Sequence, residues 1–227
     1  MPFLFLAIVL LVLVFGPGIW VNRVLARYAK PADRYPGTGG ELARHLLDLH
    51  GMTSVTVEET EHGDHYDPVA KAVRLSPDKF SSRSLTAVTV AAHEVGHALQ
   101  DHEGYAPLRL RTHLVRAIQP VQKIGAGILM VSPFIGAITR APGLGILMFL
   151  GGMLTLLAST VVHFVTLPTE IDASFRRALP MLDKHGILKP VDRPHARRLL
   201  KAAAYTYVSA SLMSLLNIAR WWAILRR

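Results

Sequence analysis

The sequence predicts a mainly helical integral membrane protein of the α+β class, with a small β-hairpin or sheet and three or four transmembrane helices. Three observations predict this fold class. The chain of 227 residues is 51% hydrophobic and only 18% charged, residues 1–22 contain no ionisable side chain, and further long apolar runs follow from residue 124. Because soluble globular domains carry about 25% charged residues, the missing charge indicates long uncharged segments and excludes disordered or collagen-like structure.

The first element is an N-terminal transmembrane anchor at residues 1–22. Its apolar core, Phe3 to Val21, is long enough at about 1.5 Å per residue to cross a hydrocarbon layer of roughly 30 Å. The nearest positive charges, Arg23 and Arg27, follow this run, whereas a cleaved signal peptide carries its charges before it. We therefore interpret the segment as an uncleaved anchor.

Residues 23–119 form a polar domain. An amphipathic helix is expected over residues 38–51, because turn residues open it and a glycine closes it. Residues 54–58 alternate between polar and apolar side chains, and residues 72–75 are their expected partner in a β-hairpin. A long helix follows over residues 81–104, with serine N-cap candidates at its start and a glycine at its end.

The second half of the chain is predicted to return to the membrane. Two apolar stretches, 124–139 and 141–167, predict a transmembrane helical hairpin over residues 120–167. A polar helical segment, 168–201, follows on the side of the membrane that holds the first polar domain. The last apolar segment, 202–227, is expected either to span the membrane or to lie along its surface.

Lysine and arginine are concentrated in two regions: residues 22–119 hold 12 of the 25, and residues 168–201 hold 8. One span followed by a hairpin places both regions on one side, and the positive-inside rule makes that side cytoplasmic. Residues 22–119 also hold 12 acidic side chains, so the net charge of +9 arises close to the membrane. We therefore expect the lipid bilayer, with its anionic headgroups, as a partner, and no nucleic acid.

Residues 93–97, with the sequence His-Glu-Val-Gly-His, form an HExxH motif inside the predicted helix 81–104. Because positions i and i+4 share a helix face, His93 and His97 can bind one Zn²⁺, and Glu94 can act as general base on a water molecule. The alternative is a histidine pair on a surface helix, but the surrounding valines and alanines predict a buried one. The chain has no cysteine, which excludes thiolate ligands, disulfides and a cysteine nucleophile.

A zinc site of this kind needs a third protein ligand. Glu170 is a candidate, because it lies in the first turn of a helix that Pro168 and Thr169 are expected to start. The predicted topology returns this helix to the side of the membrane that holds the motif. Asp172 is the second candidate. Both acids also fit an alternative role, as first-turn side chains that interact with the helix dipole.

Three segments carry a resemblance to a known family: AAHEVGHALQD at residues 91–101, DHYDP and VRLSP within residues 64–77, and TLPTEIDASFRRAL at residues 166–179. Over nearly its whole length the chain resembles the YugP-type membrane zinc metallopeptidases, also described as neutral zinc metallopeptidases. More distantly it is similar to the HtpX-type and prenyl-protein-processing metalloproteases. The resemblance implies a gluzincin-like zinc peptidase in a bacterial membrane. Together with the charge distribution, it predicts a multi-pass protein of the inner membrane whose active site faces the cytoplasm.

For the site, the resemblance implies Zn²⁺ as the cofactor, His93 and His97 as ligands, Glu94 as the base and Glu170 as the third ligand. The related gluzincins carry an aspartate four residues after this glutamate. In this chain Ser174 stands at that position and the acid is at residue 172. The choice between Glu170 and Asp172 therefore stays open.

Residues 62–67 combine histidine, aspartate and tyrosine side chains. We interpret them either as a second metal site or as a polar turn stabilised by Asx-type hydrogen bonds. If this hairpin borders the active site, the strand at 73–76 could pair with the substrate backbone, and His65 or Tyr66 could contact the substrate or its oxyanion. The same oxyanion role is open to Tyr105, Tyr205 and Tyr207.

These features predict a membrane-embedded zinc endopeptidase that hydrolyses peptide bonds of membrane or membrane-proximal proteins with a zinc-activated water. The alternative is a non-catalytic, zinc-stabilised membrane scaffold or adaptor. The two differ in Glu94, because a scaffold needs metal ligands but no base. The sequence gives no prediction of the oligomeric state.

Overall fold

The computed structural model describes residues 2–206, apart from the side chains of residues 2–11, 13, 14, 133, 137, 142, 156, 159–161, 163 and 164. Most of the last predicted segment, including the candidate Tyr207, lies outside the described residues. The chain forms two compact units. Of the described residues, the smaller unit contains those up to Gly18 and Leu110–Thr166, and the larger unit contains Ile19–Arg109 and Leu167–Thr206.

The described chain is mainly helical. In chain order its α-helices are α1 (Pro2–Tyr28), α2 (Gly39–Leu49), α3 (Pro77–Phe80), α4 (Leu85–His102), α5 (Ala106–Ile138), α6 (Pro142–Ile171) and α7 (Leu179–Lys184). A π-helical segment, Asp172–Ala178, joins α6 to α7, and a short 3₁₀ turn covers Pro190–Asp192. A further helix, α8, runs from residue 193 to the end of the described chain.

The structure corrects the membrane-spanning part of the predicted fold class. Among the residues that the structure describes, no helix combines the length and the apolar character needed to cross a membrane. A span needs about 20 successive, predominantly apolar residues. The prediction took apolar runs alone as spans, whereas in the structure these runs are parts of longer helices. α5 begins with a basic segment that contains Arg109, Arg111 and Arg116, and α6 continues to the buried Thr169 and Glu170 of the larger unit. The predicted fold class with three or four transmembrane helices is therefore wrong.

In the smaller unit, α5 and α6 approach each other closely at glycines. A Cβ atom on Gly125 of α5 would lie 2.0 Å from Thr155 Oγ1 of α6, and one on Gly152 of α6 would lie 2.5 Å from Leu129 Cγ of α5. The two helices are joined by a tight turn at Arg140, whose φ is +52°. These contacts build a helical hairpin in which small residues set the distance between the helices.

The larger unit contains a three-stranded sheet of β1 (Thr56–Glu59), β2 (His65–Asp67) and β3 (Ala72–Leu75), in the order β1-β3-β2. β1 runs parallel to β3, and β2 is the antiparallel neighbour of β3. The predicted pairing of residues 54–58 with 72–75 is confirmed, but the predicted hairpin is wrong: the two strands run parallel, because the intervening segment contains β2 and leads the chain back before β3 begins. β3 has neighbours on both sides, so the suggested pairing of residues 73–76 with a substrate is not available along this strand.

The ends of α2 and α4 follow local rules. Thr38 and Glu41 form a capping box at the start of α2, and Ser84 caps α4 by accepting a hydrogen bond from the Ala87 N–H. Gly51 and Gly104, which follow the two helices, have φ of +70° and +68°. A positive φ favours glycine, which explains why both helices end where the sequence predicts.

α4 lies at the centre of the larger unit. Its side chains are buried along nearly its whole length, and α2, α3, the sheet and the π-helical segment all pack against it. The core around it is aliphatic, with fully buried Leu46, Leu75, Leu182 and Leu200. A helix buried on all faces must place any polar side chain against a partner, which makes the polar residues of α4 informative.

The helix expected to begin at Pro168 does not begin there. α6 runs through Pro168 to Ile171 and continues directly into the π-helical segment. Proline removes one intrahelical hydrogen bond, and the burial of the neighbouring Thr169 and Glu170 shows that tertiary packing holds the helix together here. Glu170 therefore does not lie in a first turn, and the alternative role of this acid beside a helix N-terminus does not apply.

Candidate metal centre

Two histidines of α4 and one glutamate of α6 meet in the interior of the larger unit. His93 Nε2 lies 3.3 Å and His97 Nε2 lies 3.2 Å from the same oxygen, Glu170 Oε2. All three residues are buried, with 4%, 4% and 1% of their surface exposed. Within the described part of the chain, this is the single group of three potential metal ligands whose donor atoms lie within 4.8 Å of one another.

The geometry of α4 and its neighbour explains why these side chains meet. His93 and His97 project from adjacent turns, and their ring centroids are 4.8 Å apart at an interplanar angle of 76°. Between them, Gly96 allows the π-helical segment to approach. A Cβ atom at Gly96 would lie 2.7 Å from the carbonyl oxygen of Ala173. The glycine of the motif therefore brings the segment that follows Glu170 against the two histidines.

The other ring nitrogen of each histidine is held by a buried polar side chain. Ser174 Oγ lies 3.0 Å from His93 Nδ1 and 3.2 Å from Leu200 O, to which it donates its hydrogen. Because its hydrogen is used there, the hydroxyl accepts from His93 Nδ1–H. The histidine is then in the tautomer whose Nε2 carries a lone pair directed toward Glu170.

Gln100 holds His97 in the same way. Its Nε2 donates to Thr169 O at 2.9 Å and to Asp172 Oδ2 at 2.8 Å. The amide orientation is fixed by these two acceptors, so Oε1, 2.9 Å from His97 Nδ1, accepts from the ring N–H. Both histidines therefore present Nε2 lone pairs to one point, as metal binding requires.

Asp172, the second candidate for the third ligand, points to other partners. Its Oδ2 accepts from Gln100 Nε2 and, at 2.7 Å, from Arg177 Nε. Arg177 also forms an ion pair with Glu103 at 2.6 Å. Asp172 is not a member of the cluster of potential ligands described above. It orients Gln100, and through Gln100 it supports His97.

The residues present fit a zinc ion. Zinc binds imidazole nitrogen at about 2.0–2.1 Å and carboxylate oxygen at about 2.0–2.2 Å in a tetrahedral arrangement, which separates neighbouring donor atoms by about 3.4 Å. The observed separations of 3.2 and 3.3 Å between the histidine nitrogens and Glu170 Oε2 match this value. Three protein ligands leave one position for water or substrate, as in catalytic zinc sites.

Glu94 lies next to the cluster in α4. It directly follows His93 and is buried, with 6% of its surface exposed. A carboxylate adjacent to a histidine ligand on a helix can reach water at the open position of such a site. The structure therefore places the predicted base beside the predicted ligands, and its role stays a prediction.

The candidates for substrate or oxyanion contact have other partners. Tyr66 is buried in β2 and donates its hydroxyl hydrogen to Asp101 Oδ2 at 2.7 Å. Burial and this hydrogen bond raise the pKa of Tyr66 above its usual range. His65 Nδ1 lies 2.8 Å from Gly63 O. Tyr105 faces the guanidinium of Arg177 and Tyr205 faces the ammonium of Lys201. None of these contacts involves a member of the three-residue cluster.

The two aspartates within residues 62–67 accept hydrogen bonds from the surrounding loop and sheet. Asp64 accepts from the Ser76 backbone N–H and hydroxyl, each at 2.8 Å. Asp67 accepts from two backbone N–H groups of the following turn and from Arg74, and these contacts hold its pKa below its usual value against the opposing effect of burial. These are the Asx-type contacts of a polar turn, and no second cluster of metal ligands is found among the described residues.

Sequence reasoning missed Gln100 and Ser174. Gln100 lies three residues after His97 in a helix that was predicted to be buried, and a buried amide needs partners. Ser174 lies four residues after Glu170, at the position where the related gluzincins carry aspartate. The predicted burial of this helix could have identified Gln100. The departure from the family pattern marked the position of Ser174, but it did not show that the serine hydroxyl contacts His93.

Comparison with known proteins agrees with this geometry. A family model described as "Putative neutral zinc metallopeptidase" matches residues 3–226. A protein of Bacillus subtilis (strain 168) named "Putative membrane protease YugP" is 37% identical over 223 residues, which cover 97% of this chain and 95% of that protein. No solved structure matches the chain.

Proposed function

Because the chain belongs to the family of neutral zinc metallopeptidases, we propose that it is a zinc-dependent endopeptidase. In this proposal His93, His97 and Glu170 hold the metal, and Glu94 is the general base. The observation that carries it is the buried cluster of two imidazoles and a carboxylate whose separations of 3.2 and 3.3 Å suit zinc.

Zinc in this cluster would supply a Lewis acid for the attacking water and for the scissile carbonyl. Glu94 takes a proton from the water and passes it to the leaving amine nitrogen. Ser174 and Gln100 keep His93 and His97 in the Nδ1–H tautomer, so that both Nε2 lone pairs remain directed at the metal. The aliphatic core around α4 excludes bulk water from the ligands and strengthens the electrostatic interactions within the site.

We further propose that the enzyme acts at a membrane, on membrane or membrane-proximal proteins. The name of the Bacillus subtilis relative, a membrane protease, supports this location. The positive charge in residues 168–201, with 8 basic and 4 acidic side chains, supports it as well, because anionic headgroups attract such a surface.

The test compares the zinc-loaded full chain with its Glu94→Gln variant on an unfolded protein substrate. General acid–base catalysis contributes about 10²- to 10⁴-fold in rate, so we expect the variant to lose at least about 99% of the cleavage rate. Its zinc content should stay at one ion per chain, because the ligands are unchanged. Glu61→Gln, which makes the same change at an exposed loop position, should cleave like the wild type.

The opposite result would be cleavage that is absent, or equal in wild type and Glu94→Gln, while both proteins retain stoichiometric zinc. That outcome would contradict peptidase activity and favour the zinc-stabilised scaffold. The scaffold makes a further, distinct prediction. Its cellular function would survive Glu94→Gln and would be lost in His93→Ala, which removes the metal.

A further inference from the structure

A small cavity in the larger unit lies away from the metal cluster and is strongly basic. Its volume is about 220 Å³, and its lining includes Arg27, Lys30, Arg34, Asp192 and His195. These residues come from the end of α1, the loop after it, and the chain around the 3₁₀ turn. Three cations therefore face one carboxylate, which leaves a net charge of +2 in the lining with His195 neutral.

The carboxylate is already neutralised by the protein. Asp192 Oδ2 accepts from Arg34 Nε at 2.6 Å and from the Tyr35 hydroxyl at 2.7 Å, and Oδ1 accepts from Arg34 Nη2 at 2.5 Å. The Asp192 side chain is only 1% exposed, whereas that of Arg34 is 31% exposed. A cationic ligand would therefore find no accessible carboxylate oxygen in this cavity.

The same ion pair holds the Arg34 guanidinium in place, where it can donate further hydrogen bonds. A bidentate contact holds the planar guanidinium in one orientation and uses only part of its five N–H groups. The remaining terminal nitrogen, Nη1, makes no hydrogen bond to the described residues. Arg34 can thus offer further N–H donors to a ligand without losing its contact to Asp192.

Arg27 and Lys30 supply the uncompensated charge. Both residues are exposed, and neither forms an ion pair with an acidic residue in the described part of the chain. The guanidinium carbon of Arg27 lies 5.9 Å from the centre of the Tyr28 ring, which restricts its position beside the cavity. The two cations can therefore turn to a bound anion without first breaking an ion pair.

A polar pair completes the lining. The Tyr28 hydroxyl and His195 Nδ1 are 3.0 Å apart, and the two rings lie with their centres 5.0 Å apart. When the tyrosine donates to Nδ1, the imidazole carries its hydrogen on Nε2 and becomes one more donor. The cavity thus combines a guanidinium fork, an ammonium and an imidazole donor, which is the donor set that recognises phosphate.

We propose that this cavity binds a phosphate group, carried either by a soluble phosphate ester or by the headgroup of an anionic phospholipid. The volume is small enough to select a compact ligand and leaves room for the carbon attached to the ester oxygen. The proposal does not depend on peptidase activity, and its tests do not use activity as a readout.

The first test measures binding of inorganic phosphate to the zinc-loaded full chain by ³¹P NMR titration. The variant is Arg27→Gln with Lys30→Gln, which changes two exposed side chains of the lining. The control, Arg23→Gln with Arg197→Gln, removes the same amount of charge from exposed positions outside the lining. We expect the phosphate Kd to rise at least about tenfold in the variant and to stay within about twofold of wild type in the control.

The second test distinguishes the two sources of phosphate by co-sedimentation with vesicles of phosphatidylcholine, with and without phosphatidylglycerol. A lipid headgroup as the ligand predicts that binding to phosphatidylglycerol vesicles falls more in the lining variant than in the control. Equal vesicle binding by both double variants, with the phosphate Kd still raised in the lining variant, identifies a soluble ester.

The proposal is overturned if phosphate binding is not saturable, or if both double variants weaken it equally, since a general charge effect would then explain it. Thermal unfolding checks that the double variants fold. If the lining variant does not, Arg27→Gln alone carries the test, with Arg23→Gln as its control on the same helix, and the same two outcomes decide it.

Discussion

Ser174 and Gln100 each contact one histidine of the three-residue cluster of potential metal ligands, at 3.0 and 2.9 Å. Each has its own hydrogens directed to carbonyl or carboxylate oxygens, so each can only accept from the histidine Nδ1–H. The position four residues after the glutamate is an aspartate in related gluzincins, whereas a neutral hydroxyl occupies it here. The hydroxyl fixes the tautomer of His93 without adding a further negative charge beside Glu94 and Glu170.

Replacing Ser174 by alanine is expected to raise the zinc Kd about 10- to 100-fold, because His93 loses the acceptor that orients it. Zinc affinity is measured by competition with a chromogenic chelator. Ser132→Ala is the matched control, since it also removes a buried serine that donates to a carbonyl, but in the smaller unit. An unchanged zinc Kd in Ser174→Ala would contradict the orienting role.

A second residue-scale feature is the buried carboxylate of Asp192. Hydrogen bonds from Arg34 hold the pKa of Asp192 below its usual value. A depressed folded-state pKa contributes stability that is present above the unfolded-state pKa, near 4, and is lost as the pH falls through the lower folded-state value. Asp192 therefore stabilises the larger unit at neutral pH and stops doing so in acid.

Asp192→Asn is expected to lower the free energy of unfolding by about 2 kcal/mol at pH 7, because two charge-assisted hydrogen bonds from Arg34 are lost. The difference from wild type should shrink as the pH is lowered below about 4, since the carboxyl of the unfolded wild-type chain is protonated first and that of the folded protein only at lower pH. Urea unfolding at a series of pH values measures this. The exposed Asp33→Asn serves as control, and a difference that stays constant with pH would contradict the assignment.

At the scale of elements, the approach of α4 to the π-helical segment depends on one glycine. A Cβ at Gly96 would lie 2.7 Å from a backbone oxygen of Ala173, a distance that requires the backbone to move. This segment follows Glu170 directly, so a displacement also moves the third potential ligand. Packing of the two elements and assembly of the cluster are therefore coupled.

Gly96→Ala is expected to destabilise the protein by about 2 kcal/mol and to weaken zinc binding, because overpacking against a backbone atom cannot be relieved by a side-chain rotation. Gly127→Ala in α5 is the matched control, since a Cβ there meets no atom within 4 Å. The control should be neutral or more stable by up to about 1 kcal/mol. Equal stability of the two variants would show that α4 and Ala173 are not in close contact.

Elements whose ends are set by neighbouring residues could be predicted from the sequence. Thr38, Gly51 and Ser84 act on the adjacent backbone, so the limits of α2 and α4 followed from local chemistry. The pairing of β1 with β3 was predicted but its parallel direction was not, because a parallel pair needs a crossover connection, here the segment that contains β2, and short-range patterns indicate only a hairpin. The helix start predicted at Pro168 was also wrong, because burial of the neighbouring residues outweighs the local preference of proline for the first turn of a helix.

In the candidate site, too, some residues could be identified from short-range patterns and others depend on contacts between distant parts of the chain. The HExxH spacing is a local property of one helix, so His93, Glu94 and His97 were identified directly. Glu170 could be named only as one of two candidates beside Asp172, because 73 residues separate it from His97 and the choice between the two acids depends on the fold. The acceptor role of Ser174 depends on Leu200, 26 residues further along the chain, and only the folded structure shows it.

For the whole molecule, the cluster links parts of the chain that are far apart in sequence. His93 and His97 belong to α4, and Glu170 lies near the end of α6. A ligand that binds only the folded state stabilises it by RT ln(1 + [ligand]/Kd), which is about 4 kcal/mol when free zinc is 1,000-fold above its Kd. Zinc should therefore stabilise the larger unit as a crosslink between two of its main segments.

Removing zinc by chelation and dialysis is expected to lower the Tm of the wild-type protein by about 10 °C, because 1 kcal/mol corresponds to about 2–4 °C in a chain of this size. His97→Ala should unfold at the same temperature with and without added zinc. His62→Ala, which changes an exposed loop histidine outside the cluster, should keep the wild-type dependence. If zinc raises the Tm of His97→Ala as much as that of wild type, the metal binds elsewhere, and if zinc leaves the wild-type Tm unchanged, the cluster does not bind it. Differential scanning calorimetry with and without zinc separates these outcomes from the expected one.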